Sequence, residues 1–308
     1  MSTFTHALST NNYGPAKFIV DASAANGTHT TIAAATSAAS SGDIIGIRPG
    51  TYTENLTLKS GISYISLENF QGGSGTAKVI IVGKMIDNGA GVVVTWKGIQ
   101  FTTNSDFIVA LTGESNVVFN ECYLNCSNNT GISMGSGLCN VYLNNCISNL
   151  GTTGIHLWSI TGGVLWGYYY EFQNTGGSAA TGTLSAGGVT LRYCNTTMLI
   201  STSSTGQLLA FYSQFVATDL TLLTTAGTQS HTIEGCIFSS GTASAISIGA
   251  GTTINFYNNV VTSSNTNAIT GAGTILYSNV TFVTSSVMNV TTQTASYMQL
   301  GKWKASGQ

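Results

Sequence analysis

Along residues 94–279 the apolar positions recur in a six-residue pattern and not at helical spacing. The pattern is an apolar residue, any residue, a second apolar residue, two turn-prone residues, then a residue of buried type. Nine segments fit it, starting at Val94 (VTWKGI), Val117 (VVFNEC), Val141 (VYLNNC), Val164 (VLWGYY), Val189 (VTLRYC), Leu209 (LAFYSQ), His231 (HTIEGC), Ile254 (INFYNN) and Thr274 (TILYSN). Position three is apolar in every one, and successive starts lie about 20 to 25 residues apart. Side chains alternate along a strand, so positions one and three point inward and positions two and four outward. Asn and Gly crowd positions four and five, where a sharp turn with left-handed backbone suits them. Position six points inward again, which makes Cys122, Cys146, Cys194 and Cys236 a column of small buried side chains, with Cys126 and Cys139 also free. This phase places Trp166, Tyr169 and His231 inside.

A repeat near 22 residues made of short strands predicts stacked coils. Each coil buries its apolar side only against its neighbours. With the less regular coils before Val94, about ten to twelve coils give a rod of ~50 Å. The segment TTIAAATSAASSG reads as one short helix, with Thr30 or Thr31 as its N-cap and Gly42 as its end. It is followed by strand, Pro-Gly turn and strand in DIIGIRPGTYTENLTL. A helix there covers the first coil and blocks an open sheet edge. The expected organisation is a leader (1–17), a cap with the first coils (18–68), the body (69–284) and a tail (285–308).

The cap segment resembles the start of the right-handed parallel β-helix, pectin-lyase-like superfamily. The resemblance rests on Thr31, Ile32, Ala35, Ala38, Gly42, Asp43, Ile45, Ile47, Pro49, Gly50, Tyr52 and Glu54, and with the repeats it covers roughly residues 18–284. It implies an all-β fold, a single-stranded right-handed parallel β-helix with an N-terminal capping helix. Such folds serve pectate lyases, polygalacturonases, pectin methylesterases, phage tailspikes and adhesins, so the fold alone assigns no activity.

Composition narrows the classes. Charged residues are 6% of the chain, against roughly 25% in ordinary globular proteins. The net charge of −2 and the scattered basic residues exclude nucleic acid as a partner. No apolar run reaches a membrane span, and MSTFTHALSTNNYG lacks the features of a secretory signal. Hydrolysis of a polysaccharide needs two clustered carboxylates. Outside the cap region the weak candidates are Asp106, Glu114, Glu171 and Glu234, with Asp106 and Glu114 a conceivable pair just before the Val117 coil. No zinc-type spacing occurs, so neither a metal nor a cofactor is expected.

The outward positions carry the remaining signal. HLWSITGGVLWGYYYEF is the densest aromatic stretch, and Trp158, Tyr168 and Tyr170 are candidates for sugar stacking. Arg192, Tyr212, Tyr257 and Tyr277, in the fourth-position stripe with Glu234, are further glycan-binding candidates. Val118, Tyr142 and Leu165, at position two, form an apolar stripe suited to contact with another subunit. An ice-binding face needs a regular Thr array, and Thr95, Thr190 and Thr232 in that column are not on consecutive coils. The leading expectation is a virion structural protein made in a host cytoplasm. It is a β-helical tail fibre, tailspike-like or capsid-decoration protein, homotrimeric, in contact with other virion proteins, and a binder of cell-surface polysaccharide. Two alternatives stay open: a polysaccharide lyase or glycoside hydrolase, and a secreted or cell-surface bacterial adhesin.

Overall fold

The computed structural model describes residues 15–68, 78–102, 107–126, 130–135, 138–150, 156–174, 181–217, 221–241, 243–265, 267–283 and 287–295. It is a parallel β-solenoid with one helix among the described residues. A typical coil runs through Asn116–Asn120, a two-residue turn whose first residue is left-handed, Tyr123–Cys126, then Thr130–Met134, before the next coil opens at Asn140. These three strands define three faces, here called the first, second and third. Every ladder between coils among the described residues is parallel, as in Val117 opposite Val141 and Leu124 opposite Ser148, and the register shifts only between His156 and Trp158 and within Asn267–Ser278. The second face stacks 11 strands, which agrees with the ten to twelve coils expected. The first and third faces join into a 22-stranded sheet because Asn267–Ser278 runs through both without a break. The solenoid continues through Val287–Ala295, inside the segment expected to be tail. The leader up to residue 14 and the tail beyond residue 295 lie outside the described residues.

The helix spans Ile32–Ala38, and Thr31 is its N-cap, accepting from the Ala34 amide. Glu54, from two strands further on, accepts from the Ile32 and Ala33 amides at 2.9 Å each. Its carboxylate thus meets donors that a helix N-terminus leaves free. The helix ends at Ala39, whose backbone is extended, and not at Gly42. Gly42 instead forms the turn into Ile44–Ile47.

The interior is a continuous column of buried apolar side chains from Val20 to Ile275. Tyr64 stacks on Trp96 at 3.8 Å, and Phe215 on Phe238 at 4.6 Å. The six cysteines are free and buried.

In three coils the inward phase is shifted by one residue from the sequence expectation. Val141 pairs with Leu165, Val189 with Leu208, and Ile254 with Ile275. Position three is therefore Gly167 or Ala210 in two of these coils, and the larger apolar residue beside it faces out. A Cβ on Gly167 would meet Leu191 Cδ2 at 2.9 Å, so only glycine leaves room for that leucine. The shift has consequences for five residues. Leu165 is fully buried and is no subunit-contact residue. Trp166 and Tyr169 are exposed. Tyr170 takes the inward sixth position in the cysteine column, and Tyr277, opposite Phe256, packs against the core.

On the third face, the outward column reads Ser133, Ser159, Thr183, Ser201, Thr224, Ser247 and Thr270, one residue per coil on consecutive coils. This is a hydroxyl ladder, in a different strand from the threonines weighed in the sequence.

One buried carboxylate fixes the turn between the third and first faces. Asp87 accepts from the amides of Gly89, Thr112 and Gly113 and from the hydroxyls of Thr112 and Ser115, at 2.8–3.1 Å. Burial opposes its charge, yet these bonds together hold its pKa below the usual carboxylate value. Replacing Asp87 by Ala leaves five donors without an acceptor. The expected loss is about 3 kcal/mol, read as a lower midpoint in urea denaturation with an unchanged slope.

Candidate functional site

The turn from the first to the second face has one residue with positive φ in every coil from Gly98 to Asn279. The column reads Gly98, Glu121, Asn145, Tyr169, Tyr193, Tyr212, Gly235, Asn258 and Asn279, with φ between 50° and 68°. Each of the first eight donates its amide to the coil that follows, as from Asn145 to the Tyr168 carbonyl at 2.9 Å and from Tyr212 to Glu234 at 2.9 Å. The turn bends the chain without interrupting the ladder. Gly and Asn adopt this conformation readily, and bulky residues do not.

Three consecutive coils nevertheless use tyrosine. Tyr169 stacks on Tyr193 at 5.2 Å and Tyr193 on Tyr212 at 5.6 Å, each pair within 14° of parallel. The rings are 46%, 44% and 56% exposed. Below them Gly235 ends the stack, since a Cβ there would lie 2.6 Å from the Tyr212 ring. Tyr168 meets Tyr169 and Tyr193 edge-on, at 5.0 and 5.8 Å. Its ring plane therefore runs along the ladder axis. Trp166 is two residues back on the same outward face and stacks on Tyr142 of the preceding coil at 6.2 Å. The result is one contiguous aromatic face: Tyr142, Trp166, Tyr168, Tyr169, Tyr193 and Tyr212.

The sequence-predicted residues divide clearly. Tyr168, Arg192 and Tyr212 belong to this face. Tyr142 joins it, and Val118 lies two coils before Trp166 in the same outward column. Tyr257 is half-buried two coils below Phe211, its hydroxyl donating to Asn255 at 3.5 Å. Trp158 is interior, because it fills the space over Gly182, whose Cβ would lie 2.4 Å from the indole. Tyr170 is interior because the shifted phase turns it inward. Neither meets a ligand from outside. Trp166, Tyr169 and Tyr193 belong to the face although the sequence pattern did not mark them. Three adjacent tyrosines, Tyr168–Tyr170, across a turn that in five of its nine coils carries Asn or Gly were the available signal.

Among the described residues the candidate carboxylates Glu114, Glu171 and Glu234 stand on different turns and faces. Asp106 lies outside the described residues. Glu114 is exposed at the turn between the third and first faces. Glu171 opens a strand of the second face. Glu234 ends a strand of the first face three coils further on. Three coils separate the last two by roughly 14 Å, beyond the ~5–9.5 Å that paired glycosidase carboxylates need. Among the described residues no cluster of three His, Cys, Asp or Glu side chains is placed to hold a metal ion. Burial pushes the Cys126 and Cys236 thiols up to about 12 and Cys194 to about 11, which suits packing and not nucleophilic chemistry.

No family model and no curated protein matches the chain. Solved structures similar to it include pectin methylesterase from carrot (13% identity, covering 93% of this chain and 91% of that one, TM-score 0.41). They also include the A-module of the Azotobacter vinelandii mannuronan C-5 epimerase AlgE6 (11%, 86% and 93%, 0.35) and ORF18 of Geobacillus virus E2 (13%, 81% and 52%, 0.30). The fold stands on the strand register above, and these likenesses assign no activity to the chain.

His231 is buried, accepting at Nδ1 from the Leu208 amide at 3.1 Å, with Nε2 3.4 Å from the Thr202 hydroxyl. Burial lowers its pKa from 6.5 to about 4. The unfolded chain therefore binds the extra proton first, between pH ~6.5 and ~4. Stability is full above pH 6.5 and falls by about 3 kcal/mol as the pH drops to 4. Thermal melts at pH 7, 5.5 and 4.5 show this slope, and His231→Gln flattens it.

Proposed function

We propose that this chain is a virion structural protein, a β-helical tail fibre, tailspike-like or capsid-decoration protein, that recognises a glycan through its aromatic face and does not cleave it. The observation that carries the reading is the tyrosine ladder. A non-glycine residue in the left-handed region costs about 1–2 kcal/mol, and an aromatic pair returns roughly 0.5–1.5 kcal/mol. Three such residues with two stacks leave little or no net gain, and the rings stay open to solvent. Asparagine at the same turn in the coils at Asn145 and Asn258 meets the backbone demand without this cost. Strain kept at an exposed aromatic cluster points to function and not to folding. Tyrosine supplies rigid amphipathic contact area at low entropy cost. The ladder offers ring edges and hydroxyls to sugar hydroxyls, and Tyr168 offers a ring lying along the axis. The separated carboxylates favour binding over hydrolysis.

Tyr193→Asn separates these roles. The variant is expected to melt at the same or a higher temperature than the parent and to lose at least about tenfold in glycan affinity, measured by glycan array followed by calorimetry. Unchanged affinity, or release of reducing or unsaturated ends from a bound polysaccharide, overturns the reading.

In this proposal Val118 faces a neighbouring subunit of a homotrimer, and Tyr142 stands where that contact meets the edge of the aromatic face. Light scattering is expected to return the mass of three 31.9 kDa chains, and Val118→Glu to shift it to one. A monomeric parent protein removes the trimer and leaves the binding face standing.

A further inference from the structure

Across the first face and its turns, from Asn140 to Tyr212, the chain carries one charged side chain, Arg192. It follows Tyr168 in the outward fourth column and precedes Phe211, and its sequence neighbour is Tyr193 in the ladder. The guanidinium carbon is 4.8 Å from the centre of the Phe211 ring. That distance places the guanidinium in cation–π contact with the ring. The side chain is exposed, and among the described residues no carboxylate pairs with it. The nearest acid in its column is Glu234, two coils away beyond Phe211, roughly 10 Å along the axis. In a chain with 6% charged residues and a net charge of −2, this is an exposed positive charge set against an aromatic face.

We infer that the ligand of this face is an acidic glycan, with a carboxylate or sulfate received by Arg192 while the adjoining sugar lies against Tyr168 and Tyr193. The inference rests on the glycan-binding reading above and adds the ligand's charge and the residue that selects it. Arginine suits the role because its planar fork makes two parallel charge-assisted hydrogen bonds to such groups, which a lysine does not reproduce. The tyrosines supply contact that a neutral sugar also enjoys, so they set affinity and Arg192 sets preference. The free position of the guanidinium makes the preference sensitive to salt.

The test uses the full chain and matched probes: hyaluronan against its carboxyl-reduced form, and chondroitin sulfate against unsulfated chondroitin. The parent protein is expected to bind one acidic probe about tenfold more tightly than its partner. The first pair reports a carboxylate and the second a sulfate. Arg192→Gln is expected to bring the acidic probe to the level of its partner, Arg192→Lys to restore part of the difference, and Tyr193→Asn to weaken both members of a pair together. Equal binding within each pair, or a preference that survives Arg192→Gln, overturns the inference. If Tyr193→Asn still weakens binding in that case, the glycan reading stands and only the role of Arg192 falls. Binding of no probe by the parent protein counts against both.

Discussion

The hydrogen bond from each left-handed turn residue to the coil that follows is the interaction on which the architecture depends. A solenoid coil must change direction sharply three times and still keep its amides and carbonyls pointing along the axis. At the turn between the first and second faces it does this with a single left-handed residue. The amide of that residue bonds to the neighbouring coil like any strand amide, and the amide after it is met in two coils by a side chain of the next coil, Cys194 by Ser213 Oγ and Cys236 by Asn259 Oδ1. Because the turn has the same length in every coil from Gly98 to Asn279, one left-handed residue and one inward residue, the strands on either side keep a fixed phase from coil to coil. That phase makes columns, and the columns make faces with distinct chemistry: aromatic on the first, hydroxyl on the third.

The aromatic face shows how such a corner is put to use. Most coils fill it with Gly or Asn, at little conformational cost, and adjacent asparagines elsewhere on the first face add side-chain bonds such as Asn144 to Asn120 at 3.0 Å. Where tyrosine occupies the corner, backbone strain, stacking and solvent exposure arrive together. The three rings depend on one another: each covers the face of the next, and Gly235 closes the stack from below. The array is rigid because it is built on a turn whose dihedrals the flanking ladders already determine.

Much of the fold was legible in the sequence, since its determinants are local and repeated. The inward cysteine column, the buried His231, the Thr31 cap and the turn asparagines each follow from periodicity or backbone preference. The register of the coils at Leu165 and Leu208 was not, because the usual guide fails there. Gly167 and Ala210 are inside while Trp166 and Phe211 are outside, so size and hydrophobicity point the wrong way. The same reversal hid Trp166 and Tyr169 and put forward Tyr170. The carboxylate of Glu54 on the helix amides is a contact 22 residues distant, which no local pattern announces. The hydroxyl column escaped because the loops before its strands vary in length, so its residues do not recur at a constant interval.

That hydroxyl column also bears on the length of the rod. From Ser133 to Thr270 each coil offers its neighbours the same small polar residue on the third face. On this face a coil inserted into or removed from the stretch meets a serine or threonine above and below. The distance between the two ends of the protein is therefore a variable that duplication or deletion of a coil can change by one inter-strand spacing at a time. The aromatic face is tied to particular coils and has no such freedom, so a change of length that keeps recognition intact falls in the coils after Tyr212.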